Sequence, residues 1–153
     1  MTGLDRIDKK ILDLMQDDSN VTNLALADRV GISPPACLRR VKRLRDERII
    51  VGDVSLVDPL KLGVRLTALI EVTLERHSDE FKSGFIRRVM GDEAVTQCYM
   101  VTGETDAVLI VSIRGMEEYV EFTKRMFDSD ARVLRYRTLF AMRRIKFETK
   151  VRP

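Results

Sequence analysis

Apolar positions in the first third of the chain recur at the three- and four-residue spacing of amphipathic helices. Asp5 precedes the first of these segments in the position of an N-cap, and Asp8 stands where a capping box places an acidic residue. Thr22 is suited to cap a short second helix, and Gly31 suits the left-handed residue that ends it. A third helix would start directly after Ser33. The pattern therefore predicts three helices, with a tight turn between the last two.

The third predicted helix, Ser33 to Arg48, is basic on one side and apolar on the other. It carries six basic side chains against two acidic ones. Two prolines occupy its first turn, where backbone amides have no intrahelical partner to lose. The apolar stripe that predicts its buried side consists of Cys37, Leu38, Val41 and Leu44. A helix, a glycine-containing turn and a capped helix are typical of the helix-turn-helix unit, whose second helix enters the major groove of DNA.

We therefore expect this basic helix to bind double-stranded DNA. A basic amphipathic helix is often only a solvated surface, and the three-helix context is what favours DNA binding over that alternative. Phosphate contacts would supply most of the affinity and base-edge contacts the selectivity, and arginine suits both tasks. The predicted DNA-binding residues are Ser33, Pro34, Pro35, Ala36, Arg39, Arg40, Lys42 and Arg43.

A boundary between two domains is predicted shortly after the basic helix. The segment from Ile50 to Val57 alternates in polarity and predicts a strand. Asp58-Pro59 and Gly63, which follow it, are typical of a linker. We therefore assign residues 1–58 to a winged helix-turn-helix domain, residues 59–65 to the linker and residues 66–153 to a second domain.

From Leu66 onward the hydrophobic period changes to two, which predicts a strand with one buried face. Further strands are predicted at residues 95–102, 106–113 and 133–142, the first two of these joined by a glycine-containing turn. The order strand, helix, strand, strand, helix, strand predicts a ferredoxin-like domain and an α+β protein, with both helices on one face of a four-stranded antiparallel sheet. The two helical stripes are Phe81, Phe85, Ile86, Val89 and Met90, and Met116, Tyr119, Val120, Met126 and Phe127.

The face of that sheet opposite the helices is expected to be apolar. Every residue from Ala107 to Val111 is apolar, so one set of side chains must point away from the helices. An exposed patch of that size would be costly in a monomer. We therefore expect at least a homodimer, in which two sheets pack face to face.

Charge and hydropathy limit the cellular partners of the chain. The net charge of +3 on 153 residues is spread over both halves, so a nucleic-acid surface must be a local patch. No apolar run approaches the roughly 18 residues that a membrane helix needs. The first ten residues lack the apolar core of a secretion signal. We expect a cytoplasmic protein that does not bind membranes.

Residues that commonly carry catalytic or metal chemistry are sparse. Cys37 and Cys98 are the two cysteines and His77 is the single histidine, which nearly excludes the usual zinc sites. We interpret both cysteines as reduced core thiols and not as a disulfide, and His77 as a residue of a solvated loop. Paired carboxylates at catalytic spacing, an activated nucleophile and a glycine-rich phosphate loop are also missing from the sequence. We therefore expect neither an enzyme nor a bound cofactor or metal.

Five motifs occur in an order and spacing that are together quite specific. They are Leu4-Asp5-x-x-Asp8-x-x-Ile11-Leu12, Ala27-Asp28-Arg29-Val30-Gly31-Ile32-Ser33, Arg40-Val41-x-Arg43-Leu44, Asp58-Pro59-x-x-Leu62-Gly63 and Gly103-x-x-Asp106. With these motifs the chain resembles, over nearly its full length, the Lrp/AsnC or feast/famine family of transcriptional regulators. The resemblance implies an N-terminal DNA-binding domain and a C-terminal RAM-type domain that senses amino acids. It also implies homodimers that join into tetramers or octamers.

The resemblance further implies an amino-acid effector bound in clefts between the C-terminal domains. Turn amides could hold its carboxylate, and Asp106 could meet its ammonium group. Each candidate has a structural alternative, since Gly103 and Asp106 could simply shape a turn and the apolar candidates could be core residues. The effector-binding residues implied by matching positions are Gly103, Glu104, Thr105, Asp106, Met116, Leu139, Phe140 and Ala141.

The chain departs from the family pattern at two places. The segment from Thr22 to Ala25 lacks the glutamate that a capping box would supply. Arg39 replaces a residue that is often acidic or polar, and this replacement predicts an altered operator preference.

Two rival functions are compatible with this architecture. One rival is an architectural protein that coats DNA with little sequence preference. The other is a haem-precursor decarboxylase of similar architecture, a class that needs histidine and arginine around a tetrapyrrole, whereas this chain offers His77 alone.

Overall fold

The computed structural model describes residues 3–75 and 79–153, apart from the side chains of residues 79–81. His77 and the side chain of Phe81 therefore lie outside the described residues. The chain divides into two compact units. The first runs to Leu56 and also contains Lys146–Pro153, whereas the second is Val57–Ile145. The structure thus differs from the predicted division at residues 146–153, which belong with the N-terminal helices, and at the linker, which belongs with the second unit.

The three predicted helices of the first unit are present. They are α1 (Arg6–Asp17), α2 (Asn23–Val30) and α3 (Pro34–Asp46). The capping box on α1 is confirmed, because the Asp8 amide donates to Asp5 Oδ1 at 2.8 Å and the Asp5 amide donates to Asp8 Oδ2 at 3.2 Å. Thr22 caps α2 through the amide of Ala25 at 3.2 Å. Gly31 ends α2 with a φ of 78°, the left-handed conformation that lets the chain turn directly into α3.

The core of the first unit lies among these three helices. Cys37, Val41 and Leu44 form the buried stripe of α3, as predicted. The prediction that Leu38 belongs to that stripe is wrong, because 59% of its surface is exposed. Leu38 follows Cys37 by one residue, which places its side chain about 100° around the helix and off the buried face. The buried core residues are Ile11, Leu12, Leu26, Ala27, Val30, Cys37, Val41 and Leu44.

The strand predicted from Ile50 to Val57 is wrong. Residues 51–57 have no regular secondary structure, and Val51, Val54 and Leu56 are exposed. A strand requires backbone hydrogen bonds to a neighbouring strand, and the described residues of one chain supply none for this segment. Alternating polarity was therefore an insufficient signal, because it does not specify a pairing partner.

The C-terminal tail, residues 146–153, packs against α1. Gln16 Nε2 donates to the carbonyl of Val151 at 2.9 Å, and the Val151 amide donates back to Gln16 Oε1 at 2.7 Å. Lys150 Nζ lies 2.8 Å from Asp17 Oδ1 and 3.2 Å from Asp13 Oδ1. The chain therefore passes from one unit to the other twice, once after Leu56 and once after Ile145.

The second unit is the predicted ferredoxin-like domain. Its strands are β1 (Leu66–Leu74), β2 (Val95–Met100), β3 (Ala107–Ile113) and β4 (Val133–Phe140). They form an antiparallel sheet in the order β2-β3-β1-β4. Helices α4 (Asp79–Met90) and α5 (Met116–Thr123) connect the strands, and α5 continues into a wider π-type turn at Lys124–Asp128. A short 3-10 helix, Pro59–Leu62, precedes β1.

The two faces of the sheet have different environments. On one face, alternate residues of β1 and β3 are buried against both helices, as the period of two predicts. On the other face, Leu69 pairs with Ile110 and Leu139, and Val108 pairs with Tyr99. Tyr99 and Leu139 are exposed, and the others are half-buried. The sheet therefore presents a partly apolar face that no described residue of the same chain covers.

Candidate DNA-binding and effector sites

The start and the outer side of α3 are open to solvent. Pro34 and Pro35 occupy its first turn and are exposed, as is the N-cap residue Ser33, whose side chain makes no capping hydrogen bond. Arg39 and Lys42 are exposed one and two turns further on, and Ala36 is half-buried. The structure thus places these six predicted residues together in the first three turns of α3, and two of them, Arg39 and Lys42, are exposed cations.

The entrance to α3 is held against α2 by a side-chain hydrogen bond. Asn23 Nδ2, in the first turn of α2, donates to the carbonyl oxygen of Pro34 at 2.9 Å. The left-handed Gly31 sets the angle between the two helices. The position of the α3 start is therefore fixed from both sides of the turn, which is the property a helix needs to enter a groove in one register.

Arg40 and Arg43 turn toward α1 and bind Asp8. Arg40 Nη1 lies 2.8 Å from Asp8 Oδ1 and 2.7 Å from Asp5 Oδ2, and Arg43 Nη2 lies 2.6 Å from Asp8 Oδ2. The Asp8 side chain is 1% exposed, and both arginines are half-buried. Burial opposes ionisation of Asp8, but the hydrogen bonds from Arg43, Arg40 and the Asp5 amide outweigh it, so the pKa of Asp8 lies below its ordinary value.

This arrangement changes the expectation that Arg40 and Arg43 face DNA. Both lie off the buried stripe of α3, as predicted, but their charges are already engaged within the domain. The exposed cations in the first three turns of the helix are Arg39 and Lys42, and Arg45, further along, is exposed but paired with Asp53 at 2.8 Å. Asp8 thus holds the two arginines in addition to capping α1, a role that its position in the capping box did not indicate.

The predicted effector turn joins β2 to β3. The Asp106 amide donates to the carbonyl of Val72 at 2.9 Å, and its carboxylate accepts from the Leu74 amide at 2.8 Å. Thr105 Oγ1 donates to the same Val72 carbonyl at 2.9 Å. Gly103 has a φ of 126°, which a side chain would disfavour. The amides of Gly103, Glu104 and Thr105 donate no hydrogen bond to the described part of the chain, so the turn offers donors for an anion.

The other predicted effector residues lie at the opposite end of the sheet. The Ala141 amide donates to Thr67, near the start of β1, whereas the turn binds Val72, near its end. Five residues of strand separate these points by about 17 Å. Met116, Leu139, Phe140 and Ala141 are exposed, which contradicts the alternative that they are core residues. One chain therefore does not bring the eight predicted residues together.

A cleft of about 200 Å³ lies beside the turn and adds polar candidates. Arg137 Nη2 lies 2.7 Å from Glu71 Oε2, and Arg135 Nε donates to Thr73 Oγ1 at 3.4 Å. Their alternation along β1 and β4 puts these side chains on the open face of the sheet. Sequence reasoning missed them, because strand alternation marks them simply as residues outside the core. The cleft lining also includes Glu104 and Thr105.

The cysteines and acidic residues form no further site among residues 3–75 and 79–153. Cys37 is buried, as predicted, and burial raises the pKa of its thiol. Cys98 is exposed, so the prediction of a core thiol is wrong for it, although both cysteines are free as expected. Cys98 lies on edge strand β2, where few residues cover it. Within these ranges no group of three potential ligands could hold a metal ion, and no helix is long and apolar enough to cross a membrane.

Two family profiles match the two parts of the chain. Residues 4–51 match the profile described as winged helix-turn-helix DNA-binding, and residues 67–151 match the profile of the Lrp/AsnC ligand binding domain. The first profile covers the three helices of the first unit, and the second covers the sheet and extends into the tail that begins at Lys146.

Similar proteins of known name cover nearly the whole chain. The DNA-binding transcriptional activator DecR of Escherichia coli K12 is 36% identical over 97% of this chain and 97% of its own. A leucine-responsive regulatory protein of Rhizobium meliloti is 36% identical over 94% of this chain and 92% of its own. A transcriptional regulator of Neisseria meningitidis, solved in complex with L-Met, is 31% identical, with a TM-score of 0.92 over 97% of this chain and 96% of that one.

Proposed function

The chain belongs to the Lrp/AsnC family of DNA-binding transcriptional regulators and is not an enzyme, and on this basis we propose that it binds operators through paired α3 helices under the control of an amino acid. The observation that carries the DNA-binding part is the exposed start of α3, which is fixed by Asn23 and flanked by Arg39 and Lys42. Such a helix end fits the major groove. A regulator of this kind acts in the cytoplasm, where chromosomal DNA lies.

The partly apolar face of the sheet supports a homodimer as the binding form. Its paired residues Leu69 and Ile110 are half-buried and Leu139 is exposed in the described part of one chain. Burying such a face against its own copy produces a two-fold symmetric dimer. Two α3 helices related by that symmetry would contact two half-sites, at a spacing set by the dimer. Assembly of dimers into tetramers or octamers would extend the same arrangement.

The positions of the predicted effector residues support a site shared between subunits. The amides of Gly103, Glu104 and Thr105, which donate to no described residue, are available for a carboxylate, and Asp106 offers an acidic group for an ammonium. The exposed apolar residues Leu139 and Phe140 pair with Leu69 and Ala68, three and four residues along β1 from Val72, and Met116 is exposed at the start of α5. A subunit packed in antiparallel orientation would bring its apolar end to the turn of its neighbour. The turn would then bind the amino-acid backbone, and the neighbour would contact its side chain.

An effector at a shared site would act on assembly. A ligand shifts an equilibrium between assemblies only by the difference in its affinity for them. Because this site would be complete in some assemblies and incomplete in others, the amino acid would favour the former. The spacing of the α3 helices, and hence the preferred operators, would change accordingly.

Thermal unfolding with each amino acid tests the effector site. At least one amino acid should stabilise the purified protein by mass action, by about 2.7 kcal/mol at one hundred times its Kd. Asp106→Asn should abolish this response, because it removes the charge for the ammonium. It should keep the unliganded Tm, because its amide oxygen can still accept from the Leu74 amide.

The control for this experiment is Glu93→Gln, which removes an exposed acid elsewhere in the same unit and should leave the response intact. An absence of stabilisation by every amino acid would contradict the effector proposal, and so would an Asp106→Asn protein that responds normally.

A further inference from the structure

An exposed leucine stands on the helix proposed to enter DNA. Leu38 lies in the second turn of α3 with 59% of its surface exposed. It follows Pro35 by three residues and precedes Lys42 by four, so the three side chains are neighbours on the helix surface. Leu38 therefore forms an apolar position between the proline-marked entrance of the helix and one of its exposed cations.

Exposure of a leucine is by itself ordinary, since much of any protein surface is apolar. The position of Leu38 on α3 is what indicates a binding partner for its side chain. Residues in the N-terminal half of a recognition helix face base edges, and Leu38 is the fifth residue of α3. The long side chains of Arg40 and Arg43 are held against Asp8 and do not compete for the same space.

The major groove offers one apolar group that matches such a side chain. The C5 methyl of thymine projects into the groove, whereas the other base edges there present hydrogen-bond donors and acceptors. A leucine has no hydrogen-bonding group and gains nothing from those edges. Burial of its methyl groups against a thymine methyl removes apolar surface of both from water. A cation such as Lys42 on the same side can bind the adjacent phosphate.

We propose that Leu38 is a specificity-determining residue that recognises a thymine in each half-site by contact with the C5 methyl group. This inference rests on the proposed binding of operator DNA by α3. It adds Leu38 to the residues that the sequence predicts to contact DNA, from which the apolar stripe excluded it. Operators of this protein are therefore selected partly by thymine at one fixed position.

The test replaces thymine by uracil, which removes the methyl group and leaves base pairing unchanged. An operator selected from random DNA by the wild-type protein is synthesised with single thymine-to-uracil changes throughout its half-sites. At one position of the half-site, the change from thymine to uracil should weaken wild-type binding by about threefold to fivefold, which corresponds to the free energy of burying one methyl group. Leu38→Ala should bind the thymine operator more weakly and should not distinguish uracil from thymine at that position.

Two variants control the experiment. Leu38→Met keeps an apolar side chain of similar volume and should retain the preference for thymine. Leu24→Ala removes a leucine of similar exposure, 69%, from α2, the helix that does not enter the groove. Leu24→Ala should change the affinity for the thymine operator and for the uracil operator by the same factor, so the preference for thymine is kept. Thermal unfolding of Leu38→Ala should match the wild type, because the side chain is outside the core.

The outcomes separate this inference from the proposed function. Operator binding that no uracil substitution weakens would overturn the role of Leu38, and so would equal sensitivity of Leu38→Ala and wild type. Either result would leave sequence-specific DNA binding in place. A wild-type protein that enriches no sequence at all would instead contradict the proposed function, and the assignment of Leu38 with it.

Discussion

Asp8 connects the first helix to the recognition helix through a single side chain. Its carboxylate completes the capping box with Asp5 and accepts hydrogen bonds from Arg40 and Arg43. A buried carboxylate is stable only when it is paired and hydrogen-bonded, and here both conditions are met. The direction of α3 relative to α1 therefore depends on Asp8 as well as on the apolar core.

Removal of the Asp8 carboxylate should destabilise the first unit. Asp8→Ala leaves two arginines without their shared partner and the Asp5 amide without its acceptor. We expect the free energy of unfolding to fall by roughly 2–3 kcal/mol. This is near the lower end of the usual cost of removing one partner from a buried ion pair, because the arginines can turn to water. Denaturant unfolding measures this loss. Asp28→Ala, an exposed acid on α2, is the control and should change little.

Acid should weaken the same interaction. The pKa of Asp8 is lowered in the folded protein, so the unfolded state binds more protons as the pH falls. The stabilisation by Asp8 is therefore complete above its unfolded pKa and declines below about pH 4. Unfolding titrations from pH 6 to pH 2 should show a shallower decline for Asp8→Asn than for the wild type. Parallel curves would show that the pKa of Asp8 is the same in the folded and unfolded states.

At the residue scale, the sequence indicates faces but not neighbours. The spacing of Cys37, Val41 and Leu44 correctly predicts the buried face of α3, and it places Arg40 off that face. It does not reveal that α1 brings an acid within 3 Å of Arg40, because that contact joins residues 32 positions apart. It also overextends the stripe to Leu38, which lies at its edge.

At the scale of helices and strands, local signals are sufficient where a segment satisfies its own hydrogen bonds or pairs with a predicted neighbour. The capping residues Asp5 and Thr22 and the glycine at position 31 act as predicted. The four strands of the second unit are found with their predicted order of helices between them. The prediction that fails is the strand from Ile50 to Val57, because alternating polarity does not supply a pairing partner. The packing of residues 146–153 against α1 joins residues far apart in the chain, which periodicity does not encode.

The contact between the tail and α1 should contribute measurably to the stability of the first unit. Gln16 makes two hydrogen bonds to Val151, so Gln16→Ala should reduce the free energy of unfolding by about 1 kcal/mol. In a chain that ends at Ile145 the same substitution should have no effect, because the partner is absent. Thermal or denaturant unfolding of the four proteins measures this coupling. Equal effects of Gln16→Ala in both chains would show that the tail does not bind α1 in solution.

At the scale of the whole molecule, the open sheet face and the divided effector residues indicate that one chain is an incomplete unit. The sequence predicts the apolar face from strand β3, since every residue from Ala107 to Val111 is apolar. It gives no indication that Asp106 and Phe140 lie at opposite ends of the sheet, because register is a property of the folded pairs. In the proposed homodimer, a second subunit would supply what both features lack.

A charge on the open face should prevent dimer formation. Ile110→Asp places a carboxylate beside Leu69, which also pairs with Leu139 on the same face, and burial of that charge against a second sheet would be costly. We expect monomers by sedimentation equilibrium at concentrations where the wild type is at least dimeric. Met90→Asp, at an exposed apolar site on the helical side, should leave assembly unchanged. A dimer that persists in Ile110→Asp would place the interface elsewhere.

Selection of bound fragments from random DNA, with and without a pool of amino acids, is the most direct test of operator binding controlled by an amino acid. We expect a two-fold symmetric motif whose half-sites lie about one helical turn, or a multiple of it, apart. We also expect that the amino acids change the recovered spacing or the enrichment. Recovery of random DNA with no motif would contradict sequence-specific regulation and favour an architectural protein. An identical motif, spacing and enrichment in both selections would contradict control by an amino acid.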